Sequence, residues 1–174
     1  MMRTMQNPFQ IAIRPETPAD VESIHALTTA AFETEAEANL NDLLREAGAL
    51  TLSLTAWIED RLAGHVAVSP VTIEGAPDAA WYGLGPIAVQ PDLQGQGIGS
   101  QLMLKALADT AKLGGNGIVL LGDPKYYARF GFRPSTDFGL AWENGGGPYF
   151  QAVRLSDAAV PSGSVRYHPA FNDV

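Results

Sequence analysis

Residues Leu84 to Gly99 read LGPIAVQPDLQGQGIG, and the reading of the whole chain turns on them. The apolar run Leu84 to Val89 has the length and composition of a strand. Pro91 stops it, and Gln94-Gly95-Gln96-Gly97-Ile98-Gly99-Ser100 follows. The next residues, SQLMLKALADTAKL, carry apolar positions at helical spacing. Glycines in alternation at a helix start leave backbone N–H groups bare, because no Cβ keeps a ligand away from them. With the positive end of the helix dipole behind them, such amides form a site for a phosphate or pyrophosphate.

Upstream of this stretch, Phe9 to Arg14 alternates as a first strand. Thr17-Pro18-Ala19-Asp20 is a helix start, with Thr17 as cap, Pro18 in the first helical position and Asp20 reaching back. Val21, Ile24, Leu27 and Ala31 mark one face of that helix. A second helix is expected from about Glu35 to Ala47, ending at Gly48. Thr51 to Ile58 and Leu62 to Ile73 read as a hairpin turning at Glu59-Asp60-Arg61, and Trp81 to Val89 completes a meander. Downstream, the glycine-led helix ends near Gly114, and Ile118 to Leu121 is a short buried strand. A short helix over Lys125 to Phe130 stops at Gly131, Phe132 to Pro134 is extended, and Tyr149 to Leu155 is the last strand. This order predicts a mixed α/β sheet and not an alternating doubly wound one. The 174 residues suit one domain over 9–174, preceded by a flexible tail, Met1 to Pro8.

Composition narrows the function classes. The net charge is −8, from 19 acidic and 11 basic residues, which argues against nonspecific nucleic-acid binding. Much of the acid, including Glu16, Asp20, Glu33, Glu35, Glu37 and Asp42, falls in the first third. It reads either as a solvated helix surface or as a mouth for a cationic substrate such as an amine. There is no cysteine, so disulfides, thiol catalysis and thiolate metal sites are excluded, and a cytoplasmic location fits. His25, His65 and His168 lack metal-ligand spacing, so no metal is expected. No apolar run reaches the roughly 18 residues of a membrane span, and MMRTMQNPFQ lacks the apolar core of a secretory signal.

Of two other phosphate-binding readings of the glycines, one fails and one is weakened by its spacing. A P-loop needs lysine and then Ser or Thr after its last glycine, whereas Gly99 is followed by Ser100 and Gln101. A dinucleotide fingerprint needs G-x-G-x-x-G directly after the first strand, with an acid about 20 residues on. Asp123 is suitably placed, but the spacing here is G-x-G-x-G and it comes after the midpoint of the chain.

Gln94-x-x-Gly97-x-Gly99 does match the Q/R-x-x-G-x-G/A signature of the GCN5-related N-acetyltransferase (GNAT) family, which the chain resembles. Leu84 to Val89 looks like the family's central strand, and Asp123 to Phe132, DPKYYARFGF, resembles its later helix with a Y-x-x-x-G-F ending. In detail these stretches are similar to the YhbS-like group within the family. The resemblance follows the element order over about residues 9 to 135 and is loose after Pro134.

The resemblance implies a mixed, mostly antiparallel sheet with helices on both faces and a central strand pair that splays open. The pantetheine arm of acetyl-coenzyme A (acetyl-CoA) would lie in the gap, paired like an added strand, with the amides of Ile87 and Val89 facing it. Gly85-Pro86 is the expected irregularity, since proline cannot donate to a ladder. The amides of Gln94, Gly95, Gln96, Gly97, Ile98, Gly99 and Ser100 would hold the pyrophosphate.

The implied reaction is acetyl transfer to a primary amine, on a small molecule or an exposed amino group, by direct attack. The Ile87 N–H would stabilise the oxyanion. Tyr127, four residues before Gly131, stands where the family places its acid. A tyrosine of pKa about 10 can protonate a thiolate of pKa about 8.5. Some members carry a glutamate on the central strand, four residues before the oxyanion donor, where this chain has Gly83. A base must then come from elsewhere, from Glu33, Glu35, Glu37 or His65, or through water. Glu33 leads, because the end of the first helix borders the acceptor site in the family. Asp123 reads as a helix cap beside Pro124 or as a group near the coenzyme, and Lys125 and Arg129 as phosphate ligands or solvated cations. The resemblance also allows a homodimer. The competing classes are a non-catalytic acyl-CoA-binding sensor or partner protein, and a nucleotide-dependent oxidoreductase.

Overall fold

The computed structural model describes residues 10–174. The expected tail, Met1 to Pro8, and Phe9 of the expected first strand lie outside the described residues. The chain runs β1 (Ala12–Pro15), α1 (Val21–Phe32), α2 (Ala36–Glu46), β2 (Leu52–Ile58), β3 (Arg61–Pro70), β4 (Thr72–Ile73) and β5 (Trp81–Val89). It continues through α3 (Ile98–Lys112), β6 (Gly117–Leu121), α4 (Pro124–Tyr127), β7 (Arg133–Pro134), β8 (Leu140–Trp142), β9 (Phe150–Arg154) and β10 (Gly163–Arg166). A seven-stranded sheet has the order β1-β2-β3-β5-β6-β9-β7, in which only β5 and β6 run parallel. This is the mixed, mostly antiparallel α/β sheet that the sequence predicts.

Two expectations are corrected. Leu62 to Ile73 is not one strand: β3 ends at Pro70, which cannot donate onward, and Thr72–Ile73 leaves for a second sheet of order β4-β10-β8. Tyr149 to Leu155 is not the last strand, because β10 follows β9. Strands β8 and β10, of three and four residues, went unread because so short a run shows no period.

Helices cover both faces of the large sheet. Ile98, Leu102, Met103 and Ala106 of α3 pack with Leu54, Val66, Val68, Ile118 and Leu120 on one face. Ile24 and Leu27 of α1 pack with Leu62 and Ala88 on the other. The second sheet is joined to the first through Trp81, Val119, Phe150, Val165 and Tyr167.

Strands β5 and β6 pair only at Trp81–Gly117, Tyr82–Ile118 and Gly83–Val119. Beyond Gly83, β5 pairs with β3 alone, and a register shift lies opposite the Gly85–Pro86 segment, between Val66 and Val68. The Gln90 N–H donates to the Ala63 carbonyl at 2.9 Å. Strand alternation then turns the Val89 and Ile87 amides away from β3, toward the parted side.

Charged groups fasten the first helices to the sheet. The Asp20 carboxylate accepts from Arg14 at 2.7 and 3.2 Å and from the Thr17 N–H at 2.7 Å. Arg45 of α2 donates to Glu16 at 2.7 and 3.0 Å and to Asp42 at 2.9 Å, and Asp42 meets His25 at 2.8 Å. Glu16 also accepts from Ser53, whose hydroxyl lies 2.7 Å from Nε2 of the fully buried His65. Burial holds the His65 imidazole down at about 4, with Glu16 opposing and Arg45 reinforcing that shift. The hydrogen bond from Arg14 holds Asp20 down at about 2, against the penalty of its burial.

Both shifts make acid destabilising, in separate windows. The unfolded chain protonates His65 near pH 6.5, so its contribution is complete above 6.5 and is lost as pH falls toward 4. The Asp20 contribution is complete above about 4 and is lost as pH falls toward 2. The urea midpoint is expected to decline across both windows. In NMR spectra the His65 ring should keep its neutral chemical shift at pH 5; a ring that titrates near its ordinary 6.5 contradicts the buried, uncharged imidazole.

Candidate active site

The glycine stretch shapes a groove along the free edge of β5. After a single turn, Pro91–Leu93, the backbone is left-handed at Gly95 (φ 78°) and Gly97 (φ 87°), and α3 begins at Ile98. A Cβ at either glycine would meet no atom within 4 Å, so backbone conformation and open space, not packing, call for glycine there. Ile87, Val89, Gln94, Gly95, Gly97, Ile98, Gly99 and Ser100 line one side of a groove of about 590 Å³. Of the expected cofactor residues, Gln96 alone stands off this wall. The opposite wall is Tyr126, Tyr127 and Arg129, with the Arg129 guanidinium 4.5 Å from the centre of the Tyr126 ring. Asp123 caps α4, accepting the Lys125 N–H at 3.0 Å.

A second cavity of about 560 Å³ opens on the other side of the strand gap. It shares only Ile87 and Tyr127 with the groove. Tyr127 therefore stands at the junction, half-buried, its ring edge-on to Tyr126 and Phe132 at 4.9 and 6.0 Å between ring centres. Gly122 leaves room for it, since a Cβ there would overlap the Tyr127 ring. Burial, and then Tyr126, raise the Tyr127 hydroxyl above its ordinary pKa of 10.

The expected base candidates separate. Glu33 ends α1 in a left-handed conformation (φ 62°), exposed and off the cavity wall. Glu35 is exposed at the start of α2, and His65 is sealed in the sheet against Ser53. Of the four, Glu37 alone lines the cavity. Part of the acid of the first third is spent elsewhere, with Glu16, Asp20 and Asp42 held by Arg45, Arg14 and His25.

Sequence reasoning missed Tyr167 and Phe171, which line this cavity with Trp142. A Cβ on Gly83 would lie 2.6 Å from Cε1 of Tyr167. The Tyr167 ring thus fills the space where a side chain on the central strand would stand. No sequence signal pointed to it, because β10 places it by pairing with β4 and β8 across a long stretch of chain.

The parallel strand pair parts beside the glycine turn, with a tyrosine at the fork, and comparison with known proteins gives this arrangement its class, an acetyltransferase. Residues 51–134 match the family described as acetyltransferase (GNAT) domain. The chain is 41% identical over 165 residues to the N-acetyltransferase YhbS of Escherichia coli K12, covering 92% of this chain and 98% of that protein. The chain belongs to the GNAT N-acetyltransferase family. The crystal structure of Escherichia coli YhbS in complex with CoA superposes with a TM-score of 0.89 at 38% identity, covering 98% of this chain and 96% of that one. A GNAT acetyltransferase from Brucella melitensis, in complex with acetyl-CoA, gives 0.80 at 42% identity over 94% and 99%. The likeness extends past Pro134, beyond the range that the motifs cover.

Gly83→Ala tests the packing of Tyr167. Its methyl group would crowd the ring and, at 3.2 Å, Cγ1 of Val71. A loss of about 1–3 kcal/mol in urea denaturation is expected, as for other overpacked sites; an unchanged stability contradicts the close approach.

Proposed function

We propose that this protein transfers the acetyl group of acetyl-CoA to a primary amine. The carrying observation is that groove and cavity meet only at Ile87 and Tyr127. A thioester reaching along the groove presents its carbonyl at the one place open to an acceptor in the cavity. The CoA-bound relatives and the bare amides of the glycine turn support the groove as the coenzyme site. The amides of Ile87 and Val89 pair with the pantetheine arm, and those of Gln94 to Ser100 hold the pyrophosphate. Gln96 contributes through its backbone if it contributes at all.

The acceptor arrives as an ammonium and loses one proton to Glu37, directly or through water, in place of the Glu33 that the family resemblance suggests. The amine nitrogen attacks the thioester carbon, and the Ile87 N–H stabilises the oxyanion. The C–S bond breaks, Tyr127 protonates the departing thiolate, and the second amine proton restores the tyrosine. The products are the amide, CoA and one proton released to solvent. Because burial raises Tyr127, its hydroxyl keeps its proton throughout the neutral range. No described helix is long and apolar enough to cross a membrane, and a cysteine-free chain suits the cytoplasm.

Calorimetric titration is expected to show micromolar binding of acetyl-CoA and none of NAD. Tyr127→Phe should keep that affinity while kcat falls about 10²–10⁴-fold, the usual worth of a positioned acid. Full turnover in Tyr127→Phe removes the acid role. Tight acetyl-CoA binding with no thiol release from any amine leaves the non-catalytic acyl-CoA binder instead.

A further inference from the structure

We propose that the acceptor is a monoamine on a compact apolar body, an alkyl or arylalkyl amine, and not a polyamine or other polycation. This rests on the acetyl-transfer reading above and identifies the substrate class of the same site.

Much of the cavity wall is apolar. Leu84 and Pro86 come from the free edge of β5, and Trp142, Tyr167 and Phe171 from the second sheet and the turn after it. Its volume, about 560 Å³, suits a small molecule, since such sites run to roughly 300–1,000 Å³. Charge on the wall is sparse and nearly compensated. Glu143 is paired with Arg166 at 2.6 Å. Glu37 accepts a hydrogen bond from the Thr34 hydroxyl at 3.0 Å, and among the described residues no cationic side chain pairs with it. The wall therefore carries one uncompensated negative charge.

That single charge serves the reacting nitrogen. A second ammonium on the same substrate would be stripped of water among Trp142, Tyr167 and Phe171 with no carboxylate left to meet it, which is costly. A hydrocarbon or aromatic body gains free energy in the same place in proportion to its buried area. The aromatic part of this wall, Trp142, Tyr167 and Phe171, lies outside 51–134, the range of the matched family domain, whereas Leu84 and Pro86 lie within it.

The test is thiol release from acetyl-CoA with propylamine, butylamine, pentylamine, hexylamine, phenethylamine and spermidine. The expected result is a kcat/KM that rises about fourfold per methylene from propylamine to hexylamine, the worth of one buried CH₂ group. Phenethylamine should match hexylamine, and spermidine should fall at least ~100-fold below it. Phe171→Ala and Trp142→Ala should each raise KM for hexylamine about tenfold or more, cut the ratio of hexylamine to propylamine kcat/KM by a similar factor, and keep the wild-type affinity for acetyl-CoA. That affinity also reports correct folding, and either variant alone suffices. Spermidine equal to or better than hexylamine overturns the proposal while leaving acetyl transfer intact. So does a preference for octanoyl-CoA over acetyl-CoA with propylamine, which makes the cavity an acyl-chain pocket. Acetyl-CoA binding without thiol release from any of these amines, spermidine included, removes the transfer reading and the proposal together.

Discussion

Everything at the candidate site depends on the parting of β5 from β6 after Gly83 and Val119. Inside a sheet each strand satisfies its neighbours' backbone groups, and a strand with one open edge in the middle of a sheet leaves donors that need partners. Here that edge is short, lies between two helix-covered faces and points its Ile87 and Val89 amides into a groove. The groove ends at the amides of the α3 N-terminus. On the proposed reading, one interruption of the ladder supplies a strand-like receptor for an extended arm and a positive terminus for its anionic end. It also opens a fork at which, on that reading, a second molecule meets the first.

The fork needs a partner wall, and the chain builds it from both of its ends. Helix α2 brings Glu37 and Leu40, while β8 brings Trp142 and the segment after β9 brings Tyr167 and Phe171. Leu40 and Leu44 of α2 pack with Ala170, so the two contributions also hold each other. On its other side α2 is tied to the sheet by Arg45, whose bonds to Glu16 and Asp42 link onward to Ser53, His65 and His25. These pairs are only partly buried, so each contributes modestly, and it is their linkage into one network that ties α2 to the sheet.

The parts that were legible in the sequence are those in which local chemistry and local structure coincide. Strand Trp81–Val89 and the start of α3 are set by an apolar run, a proline and glycines that backbone conformation requires, all within twenty residues or so, and they fell where expected. Tyr127 was singled out by the family resemblance, four residues before Gly131, and it stands where groove and cavity meet. The second sheet was illegible because its strands have two to four residues and exist only by pairing, Thr72–Ile73 with Val165–Arg166 and Leu140–Trp142 with Gly163–Val165. Long-range pairing leaves no period in so few residues. His65 looked like a base candidate because a strand histidine can face either a pocket or the core, and only the packing of β2 on β3 sends it to Ser53.

Gly83 shows how one change in the sheet propagates through the site. Where some family members place a carboxylate on the central strand, this chain has no side chain and sets a tyrosine ring in the space. On the proposed reading the negative charge of the site then stands on α2, at Glu37, and an aromatic ring takes the space beside the central strand. That reading also ties substrate choice to the second sheet, because Tyr167 follows β10 directly. A carboxylate at position 83 would therefore not simply add a base. It would displace Tyr167 from the contact with Phe150 and Phe171 that holds the second sheet against the first, and so take an aromatic ring from the cavity wall.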